Sequence, residues 1–338
     1  WDAAGQLADL MPYVNDPTWG LSPQEQADFY PIIWQQDAAG GKRLGLPALR
    51  STQLLFYNQT WAKELGFAVP PATPDEFKQQ ACAAAKAYRP RAASQDDKAG
   101  GFILSTDTPA VMGWMEAFGA EVLRPGGDGY NFDTPEVRDT LKYLRGLYDA
   151  GCAWLLPDNQ PPQAEFAGRR GLFSVGSLAD LPYQAAAIQQ AGSGDEWTVL
   201  PFPSPNGKPA LIIYGPSYEI LASTPERQLA AWLFLKWLVA PENQARLATA
   251  AGAYPTRAAS VAAMGDYPKN HPQWAAALNL LPLARPEPSY RSWGLVRWAV
   301  SDAATQLFRY YFNISQVPEL GKLLDQTAAD LHADQKGK

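Results

Sequence analysis

The amino-acid sequence predicts an α/β fold of two lobes that ends in a set of helices. The chain has 338 residues, which is long for one hydrophobic core and suits two. Hydrophobic residues make up 46% of the chain and charged residues 18%, as in folded globular proteins. Helices and short apolar runs alternate through the first two-thirds, and the last third is almost entirely helical in pattern. This order is typical of α/β lobes followed by C-terminal helices.

The central element of this prediction is an apolar run at 54–57, between Pro47 and Asn58, which we interpret as a buried strand. Four polar residues at 50–53 come directly before it. Unpaired polar groups inside a core would cost about 1–3 kcal/mol each. Two interpretations remain open. The polar residues form a solvated turn, or they line a cleft where the chain passes from one compact body into a second.

Helix-capping residues, hydrophobic periodicity and the positions of Pro and Gly predict the other elements. Ser22 and Pro23 predict a helix to about Ala39, and Thr73 with Glu76 forms a capping box for a helix to about Tyr88. Further helices are predicted at 106–122, 134–151, 163–168, 179–190, 271–281, 290–311 and 318–332, and two successive helices are predicted to begin at Thr224 and Ala240. Strands are predicted at 101–105, 171–175, 197–200, 210–214 and 218–222.

Charge and hydropathy exclude several classes of protein. The formal net charge of −6 and the absence of a Lys/Arg cluster argue against a nucleic-acid partner. No apolar run approaches the ~20 residues that a transmembrane helix needs. Residues 1–5 do not resemble a signal peptide, so we expect that any targeting segment was removed or never included. The 12 Trp and 15 Tyr residues suit a ligand cleft, because such side chains combine a flat apolar body with a polar tip.

Two cysteines, Cys82 and Cys152, permit a single disulfide. A disulfide would indicate an oxidising compartment, whereas cytosolic thiols stay reduced. The alternative is a pair of free buried thiols. No metal-ligand spacing accompanies the two cysteines.

Motifs for enzymatic chemistry are missing from the sequence. His271 and His332 are the only histidines, both on helices predicted to lie at the surface, and no GxSxG motif accompanies them. The chain has no HExxH, no Walker loop and no strand-linked GxGxxG, so we expect no metal and no cofactor. The 34 carboxylates allow a glycosidase-type pair by number alone, but solvated helix surfaces explain nearly all of them. We therefore expect a protein that is not an enzyme.

A series of short motifs falls in one order along almost the whole chain. They are Leu10-Met11-Pro12-Tyr13, Asp28-Phe29-Tyr30-Pro31, Gly45-Leu46-Pro47, Leu55-Phe56-Tyr57-Asn58, Pro70 to Phe77, Phe118-Gly119-Ala120, Asp133 to Val137, Phe173 to Ser177, Leu200-Pro201-Phe202-Pro203, Pro241 to Gln244 and Gly252 to Arg257. In this order they resemble the extracellular solute-binding proteins of ABC importers, family 1, the branch that includes maltose-binding and glycerol-3-phosphate-binding proteins.

This resemblance implies the type II periplasmic-binding-protein-like fold, in which two α/β lobes enclose a ligand cleft and close by hinge motion. The N-terminal lobe would comprise 1–53 and 215–260, without the strand–helix–strand units that open other family members. The C-terminal lobe would comprise 57–208 and 262–338. The hinge crossings would lie at 51–57, near 209–215 and near 258–262.

The resemblance also implies a function without chemistry. The protein would bind a sugar or oligosaccharide in the cleft and pass it to ABC permease membrane subunits. An alternative in the same family is a binder of glycerol-3-phosphate or a glycerophosphodiester; an alternative of another class is a glycan hydrolase. A chain that lacks part of a lobe could also be a remnant that binds nothing. We expect an extracytoplasmic monomer, periplasmic or at the cell surface with a lipid anchor, where a Cys82–Cys152 disulfide would persist.

The resemblance nominates ligand contacts at the start of the central strand, in loops and at the crossings. Ser51 and Thr52 match a polar hinge position that contacts ligand in relatives. Asp107 and Thr108 match a second contact loop, for which helix capping is the alternative. Gly215 would allow close approach of the backbone to a ligand. The remaining polar contacts are Ser174, Ser177, Tyr214 and, in a cleft-edge loop, Tyr254.

The last nominations are an aromatic ring and two cations. Trp293 matches a tryptophan that stacks on sugar in maltose binders, although Trp114, Trp293 and Trp298 could each belong to the core. Arg50 and Arg291 are the cations that could clamp a phosphate.

Overall fold

The computed structural model describes residues 5–92, 99–157 and 160–336. The helices are α1 (Met11–Val14), α2 (Pro23–Ala27), α3 (Pro31–Trp34), α4 (Gln59–Glu64), α5 (Pro74–Tyr88), α6 (Thr108–Ala117), α7 (Pro135–Asp149), α8 (Gln163–Ala167), α9 (Leu181–Gln190), α10 (Pro225–Leu238), α11 (Pro241–Ala251), α12 (Ala258–Ala263), α13 (Tyr267–Asn270), α14 (Pro272–Leu280), α15 (Trp293–Leu307) and α16 (Val317–Lys336). Short 3₁₀ helices lie at Gln35–Asp37, Arg89–Arg91, Leu178–Asp180, Leu281–Leu283 and Ile314–Gln316.

The strands are β1 (Ala38–Ala39), β2 (Lys42–Arg43), β3 (Leu46–Pro47), β4 (Ser51–Asn58), β5 (Gly100–Ile103), β6 (Ala153–Trp154), β7 (Gly171–Ser177), β8 (Trp197–Leu200), β9 (Leu211–Tyr214), β10 (Ser217–Tyr218) and β11 (Ala284–Pro286). The chain divides into two compact units. The first comprises Trp1–Ser51 and Ile213–Pro282, and the second comprises Thr52–Ile212 and Leu283–Lys338.

The first unit is mainly helical, with two short antiparallel pairs, β1 with β2 and β3 with β10. Its core gathers Leu10, Leu46, Trp232 and Val239, all fully buried. The Trp232 indole N–H donates to the Trp19 carbonyl at 2.9 Å, so the buried ring keeps its hydrogen bond.

Residues after 262 also pack into this first unit. Trp274 is 1% exposed, and its indole N–H donates to the Ala253 carbonyl at 3.2 Å. The Tyr254 hydroxyl donates to the Ala277 carbonyl at 2.7 Å. Burial of Trp274 and these two bonds therefore place 262–282 in the first unit, whereas the sequence prediction assigned 262–338 to the second lobe.

The second unit is built on a mixed sheet with the strand order β11-β9-β4-β7-β5-β6, and β8 also pairs with β4. The strand β5 runs parallel to β6 and β7, with Phe102 opposite Ala153 on one side and Phe173 on the other. Phe77 of α5 packs on this sheet, with its ring centroid 4.2 Å from that of Phe173. The predicted capping box of α5 is confirmed, because Thr73 accepts from the Glu76 amide and Glu76 accepts from the Thr73 amide.

A disulfide joins Cys82 of α5 to Cys152, the residue before β6, with the two Cα atoms 4.4 Å apart. It links the helix to the edge strand of the sheet and closes a sequence separation of 70 residues.

Several predicted bounds differ from the structure, and two of the differences have a clear physical cause. The helix expected from Ser22 to Ala39 is broken into α2, α3 and a 3₁₀ turn, because Pro31 lacks an amide proton and Phe29 instead pairs with Arg257 in a β-bridge. The strand expected at 218–222 is limited to Ser217–Tyr218, since β3, its partner, is only two residues long.

Candidate functional site

A cleft of about 550 Å³ lies in the second unit, where the carboxyl ends of the parallel strands meet. Ser105, Thr106 and Asp107 follow β5, residues 155–157 follow β6, and Gly176 lies near the end of β7. In open α/β sheets this edge is where ligands bind. The polar residues that line the cleft are Gln53, Ser105, Thr106, Asp107, Gln160, Gln163, Asp180, Thr305 and Arg309, and the apolar lining includes Ile103, Leu155, Pro161, Val175 and Phe308.

Asp107 and Thr108 are neighbours with different roles. Asp107 is exposed, lines the cleft and precedes α6, yet its carboxylate makes no capping hydrogen bond to that helix. Thr108 is 5% exposed, and its hydroxyl donates to the Arg297 carbonyl of α15. Thr108 therefore holds α6 against α15, and Asp107 leaves a carboxylate open to the cleft.

The polar residues at the start of β4 also differ from one another in their roles. Thr52 is fully buried, and its hydroxyl donates to the Ile212 carbonyl at 2.7 Å. Gln53 lines the cleft. The Ser51 hydroxyl is buried and has no hydrogen-bond partner within the described part of the chain. Neither of the two sequence interpretations therefore fits all of these residues, because the polar run supplies both internal bonds and cleft lining.

Ser174 and Ser177 lie on either side of Gly176, which lines the cleft. Ser174 is fully buried, and among the described residues its hydroxyl has no hydrogen-bond partner. The Ser177 hydroxyl donates at 2.8 Å to Asp180, which also accepts from the Ser177 amide. A Cβ on Gly176 would lie 2.8 Å from the ring of Phe56, so packing against β4 requires glycine there.

Gly215 is exposed and makes a close contact within the first unit, whereas Tyr254 lies in the interior of that unit. A Cβ on Gly215 would lie 2.4 Å from the Leu49 carbonyl oxygen, so glycine permits two chain segments to approach each other. Tyr254 is fully buried, and burial raises the pKa of its phenol. Tyr214, at the end of β9, is half-buried.

Arg50 is not available to clamp a phosphate, which corrects the expectation from the sequence. Its side chain is 1% exposed and forms an ion pair with Asp37 at 3.1 Å. The guanidinium also donates to the Pro216 carbonyl at 2.6 Å and to the Ser217 hydroxyl at 3.0 Å. All of these partners belong to the first unit, so the cation is used to hold that unit together.

Arg291 and Trp293 lie outside the lining of the 550 Å³ cleft. Arg291 is exposed and lines a smaller cavity of about 260 Å³ with Tyr290 and His332. Trp293 is 6% exposed, and its ring packs beside Tyr130 with centroids 6.0 Å apart. Trp293, which matches the sugar-stacking tryptophan of maltose binders, is thus packed in the core. Trp114 is also packed in the core and is 2% exposed.

The prediction that both histidines lie at the surface is wrong for His332, because its side chain is only 12% exposed. Its Nδ1 lies 2.9 Å from the Ser292 hydroxyl and its Nε2 lies 3.4 Å from the Asp128 carboxylate. This is a Ser-His-Asp sequence of contacts, but Ser292 is 1% exposed and its hydroxyl also bonds to Tyr130 at 2.9 Å. A nucleophile needs access to its substrate, so the cluster fastens the loop at 124–130 to α16.

Sequence reasoning missed several cleft residues, among them Thr305 and Arg309. Arg309 is exposed and follows α15, and its guanidinium has no ion-pair partner among the described residues. The patterns around Thr305 and Arg309 indicate only the end of a helix. Gln53, in contrast, belongs to the polar run already singled out before the central strand.

Within the described ranges, no helix has the length and apolar character needed to span a membrane. Those ranges also contain no group of three or more His, Cys, Asp or Glu side chains placed to hold a metal ion.

Solved structures of binding proteins are similar in fold to this chain. The sugar-binding protein MalE from Xanthomonas citri matches with a TM-score of 0.83 and 20% identity, over 99% of this chain and 81% of its own. UgpB from Mycobacterium tuberculosis, solved in complex with glycerophosphocholine, matches with a TM-score of 0.76 and 20% identity, over 100% of this chain and 81% of its own. These likenesses confirm the predicted fold class, a mixed α/β fold of the periplasmic-binding-protein kind.

A sequence relative is a probable ABC transporter-binding protein from Deinococcus radiodurans, which is 25% identical over 276 residues. The match covers 74% of this chain and 63% of the relative, so the chain spans less than two-thirds of that protein. None of these comparisons supports the glycan-hydrolase alternative. The sequence profile described as bacterial extracellular solute-binding protein matches residues 1–282, which is most of the chain, and the protein therefore belongs to that family.

Proposed function

We propose that this protein is the extracytoplasmic solute-binding receptor of an ABC importer and that it binds a sugar or oligosaccharide. Membership of the extracellular solute-binding family and the fold likeness to a sugar-binding MalE support the proposal. In this role it binds the solute, releases it unchanged to permease membrane subunits and acts as a monomer, in the periplasm or at the cell surface with a lipid anchor.

The observation that carries the proposal is the polar cleft at the strand ends of the second unit. Its rim offers an open carboxylate on Asp107 and amide groups on Gln160 and Gln163. Carboxylates and amides are hydrogen-bond partners for hydroxyl groups, which a sugar presents along its edges. Small-molecule sites are concave and orient their ligands with polar groups, and this cleft presents polar side chains at its rim. Of the sequence nominations, we retain Asp107 as a ligand contact and Ser177 as a residue that orients Asp180.

A second candidate ligand is glycerol-3-phosphate or a glycerophosphodiester. Arg309 favours it, because an exposed guanidinium without an ion pair suits bidentate binding of a phosphate. The fold likeness to UgpB, which was solved with glycerophosphocholine, is consistent with this ligand class.

Isothermal titration calorimetry of the full chain against maltose, maltotriose, sn-glycerol 3-phosphate and glycerophosphocholine tests both ligands. We expect binding of a sugar that weakens at least tenfold in Asp107→Asn, since the neutral amide is a weaker acceptor than the carboxylate. The matched control Asp139→Asn removes an exposed carboxylate on α7 and should bind as the wild type does.

Three results would count against sugar binding. Binding only of the phosphate ligands, lost in Arg309→Met, would establish the second candidate. Absence of binding to all four ligands would overturn both. Hydrolysis of maltotriose by the wild-type chain would restore the hydrolase alternative.

A further inference from the structure

We propose that Trp298 supplies the aromatic surface on which a sugar ring stacks, at the end of the cleft in the second unit. This inference rests on the proposed function, which assigns a sugar to that cleft. The resemblance to maltose binders places a stacking tryptophan at Trp293. Trp298 is a different residue of the same helix, α15.

Of the three tryptophans considered from the sequence, Trp114 is 2% exposed, Trp293 is 6% exposed and Trp298 is 67% exposed. A sugar stacks on a free ring face, so only the last of these can offer one. Single exposed aromatic side chains are common on protein surfaces, so exposure alone does not identify a ligand contact.

Trp298 shares a face of α15 with a residue that lines the cleft. Residues seven apart on a helix differ by only about 20° around its axis, so Trp298 and Thr305 lie on the same face. Arg309 lies two residues beyond the C-terminal end of α15. Thr305 and Arg309 both line the cleft, and Trp298 lies about 10 Å from Thr305 along the helix axis. The opposite face of α15, with Val296, Val300 and Leu307, is buried.

A hydrogen bond between α6 and α15 brings Trp298 and the Asp107 carboxylate into the same region. The Thr108 hydroxyl donates to the carbonyl of Arg297, the residue directly before Trp298. The start of α6 is therefore fixed against the turn of α15 that carries Trp298. Asp107, which precedes Thr108 and lines the cleft, is held in the same region.

A carboxylate and an exposed indole in one region suit a pyranose ring. The carboxylate accepts hydrogen bonds from the hydroxyl groups at the edge of the ring. The indole face packs against the C–H groups on the ring face, which are apolar. An acyclic glycerol phosphate has no such ring face, so Trp298 should discriminate between the two candidate ligand classes.

Calorimetry of Trp298→Ala with maltotriose tests the proposal. We expect the dissociation constant to rise about tenfold, as expected for loss of an aromatic contact and its buried area, and Trp298→Phe to retain most of the affinity. The matched control Tyr310→Ala removes another exposed aromatic ring, 90% exposed and outside the cleft lining. Its affinity should equal that of the wild type. Thermal unfolding of each variant should match the wild type, because both rings are exposed.

The results separate this inference from the proposed function. Equal affinity of Trp298→Ala and the wild type for maltotriose would overturn the role of Trp298 and leave sugar binding intact. Failure of the wild type to bind any sugar would overturn both proposals. A tenfold loss of glycerophosphocholine affinity in Trp298→Ala, with no sugar binding, would also overturn the assignment of the ring to a sugar.

Discussion

The guanidinium of Arg50 lies 3.1 Å from the Asp37 carboxylate, with the arginine 1% exposed and the aspartate 12% exposed. The same guanidinium donates to Gln36 at 3.1 Å and to the Leu49 carbonyl at 3.0 Å. Every nitrogen of the guanidinium therefore has a partner inside the first unit.

We predict that Arg50→Met lowers the free energy of unfolding by about 3–5 kcal/mol, because it leaves the Asp37 carboxylate buried without its cation. Arg50→Lys should recover only part of this loss, since an ammonium group cannot reproduce the planar set of donors. Chemical denaturation measures both effects. The control Arg291→Met, at an exposed position, should change stability by less than about 0.5 kcal/mol. A stable Arg50→Met variant that loses only phosphate-ligand binding would restore the clamp hypothesis.

The ion pair between Arg169 and Asp195 should make stability depend on pH in the acid range. Their closest N···O distance is 2.6 Å and the Asp195 side chain is 5% exposed. The hydrogen bonds from Arg169 hold the pKa of Asp195 below its usual value of 3.8. A lowered folded-state pKa stabilises the fold above the unfolded pKa, and this stabilisation is lost as the pH falls through the folded pKa.

We therefore predict that Asp195→Asn costs about 2 kcal/mol at pH 7, since it leaves Arg169 with one fewer charged partner. The difference from the wild type should shrink as the pH falls from 4 towards 2. Urea denaturation across this range measures it. Lys63→Met, which breaks an exposed ion pair with Glu196 at 3.2 Å, serves as the control and should cost less than about 1 kcal/mol. A pH-independent difference between Asp195→Asn and the wild type would contradict the prediction.

Burial raises the pKa of Glu116 from 4.5 to about 7, with Arg285 opposing this shift and Glu121 adding to it. The folded state therefore binds a proton that the unfolded state has released between about pH 4.5 and 7. Stability should fall as the pH rises through this window and remain lower above it.

We predict that Glu116→Gln is more stable than the wild type at pH 8 by about 2 kcal/mol, because each pKa unit corresponds to about 1.4 kcal/mol and the side chain is partly exposed. At pH 4 the two proteins should be equally stable. Glu121→Gln removes an exposed neighbouring carboxylate and should keep most of the pH dependence. Thermal unfolding at pH 4, 6 and 8 distinguishes these cases. Equal stability of Glu116→Gln and the wild type at pH 8 would contradict the raised pKa of Glu116.

Local sequence signals predicted the secondary structure of the second unit well. The capping box at Thr73 determines where α5 begins, and Trp197–Leu200 forms a strand with the predicted bounds. Both signals act within a few residues. They failed at Ala39, where the expected helix gives way to a strand that pairs with Lys42.

The candidate site was harder to predict, because the sequence does not show which of the nominated side chains are buried and which remain open to the cleft. Asp107 was nominated because it matches a contact loop of the family that the sequence resembles, and it lines the cleft. Tyr254 was nominated from a loop motif, yet it is fully buried. Arg50 bonds to Pro216 and Ser217, more than 160 positions away in the chain. No local pattern distinguishes a cation that meets such partners from one that stays open, as Arg309 does.

The Cys82–Cys152 disulfide should be a large contributor to the stability of the second unit. It closes a separation of 70 residues, for which chain-entropy estimates give about 4 kcal/mol. We predict that the free energy of unfolding of the Cys82→Ala, Cys152→Ala double variant is lower by about 4 kcal/mol. Its midpoint of unfolding should therefore fall at a lower guanidinium concentration. Adding a reductant to the wild type should give the same midpoint, whereas it should leave the double variant unchanged. Thiol titration of the unreduced, denatured wild type should find no free thiol. Two reactive thiols, or a double variant as stable as the oxidised wild type, would show that the bond does not stabilise this protein.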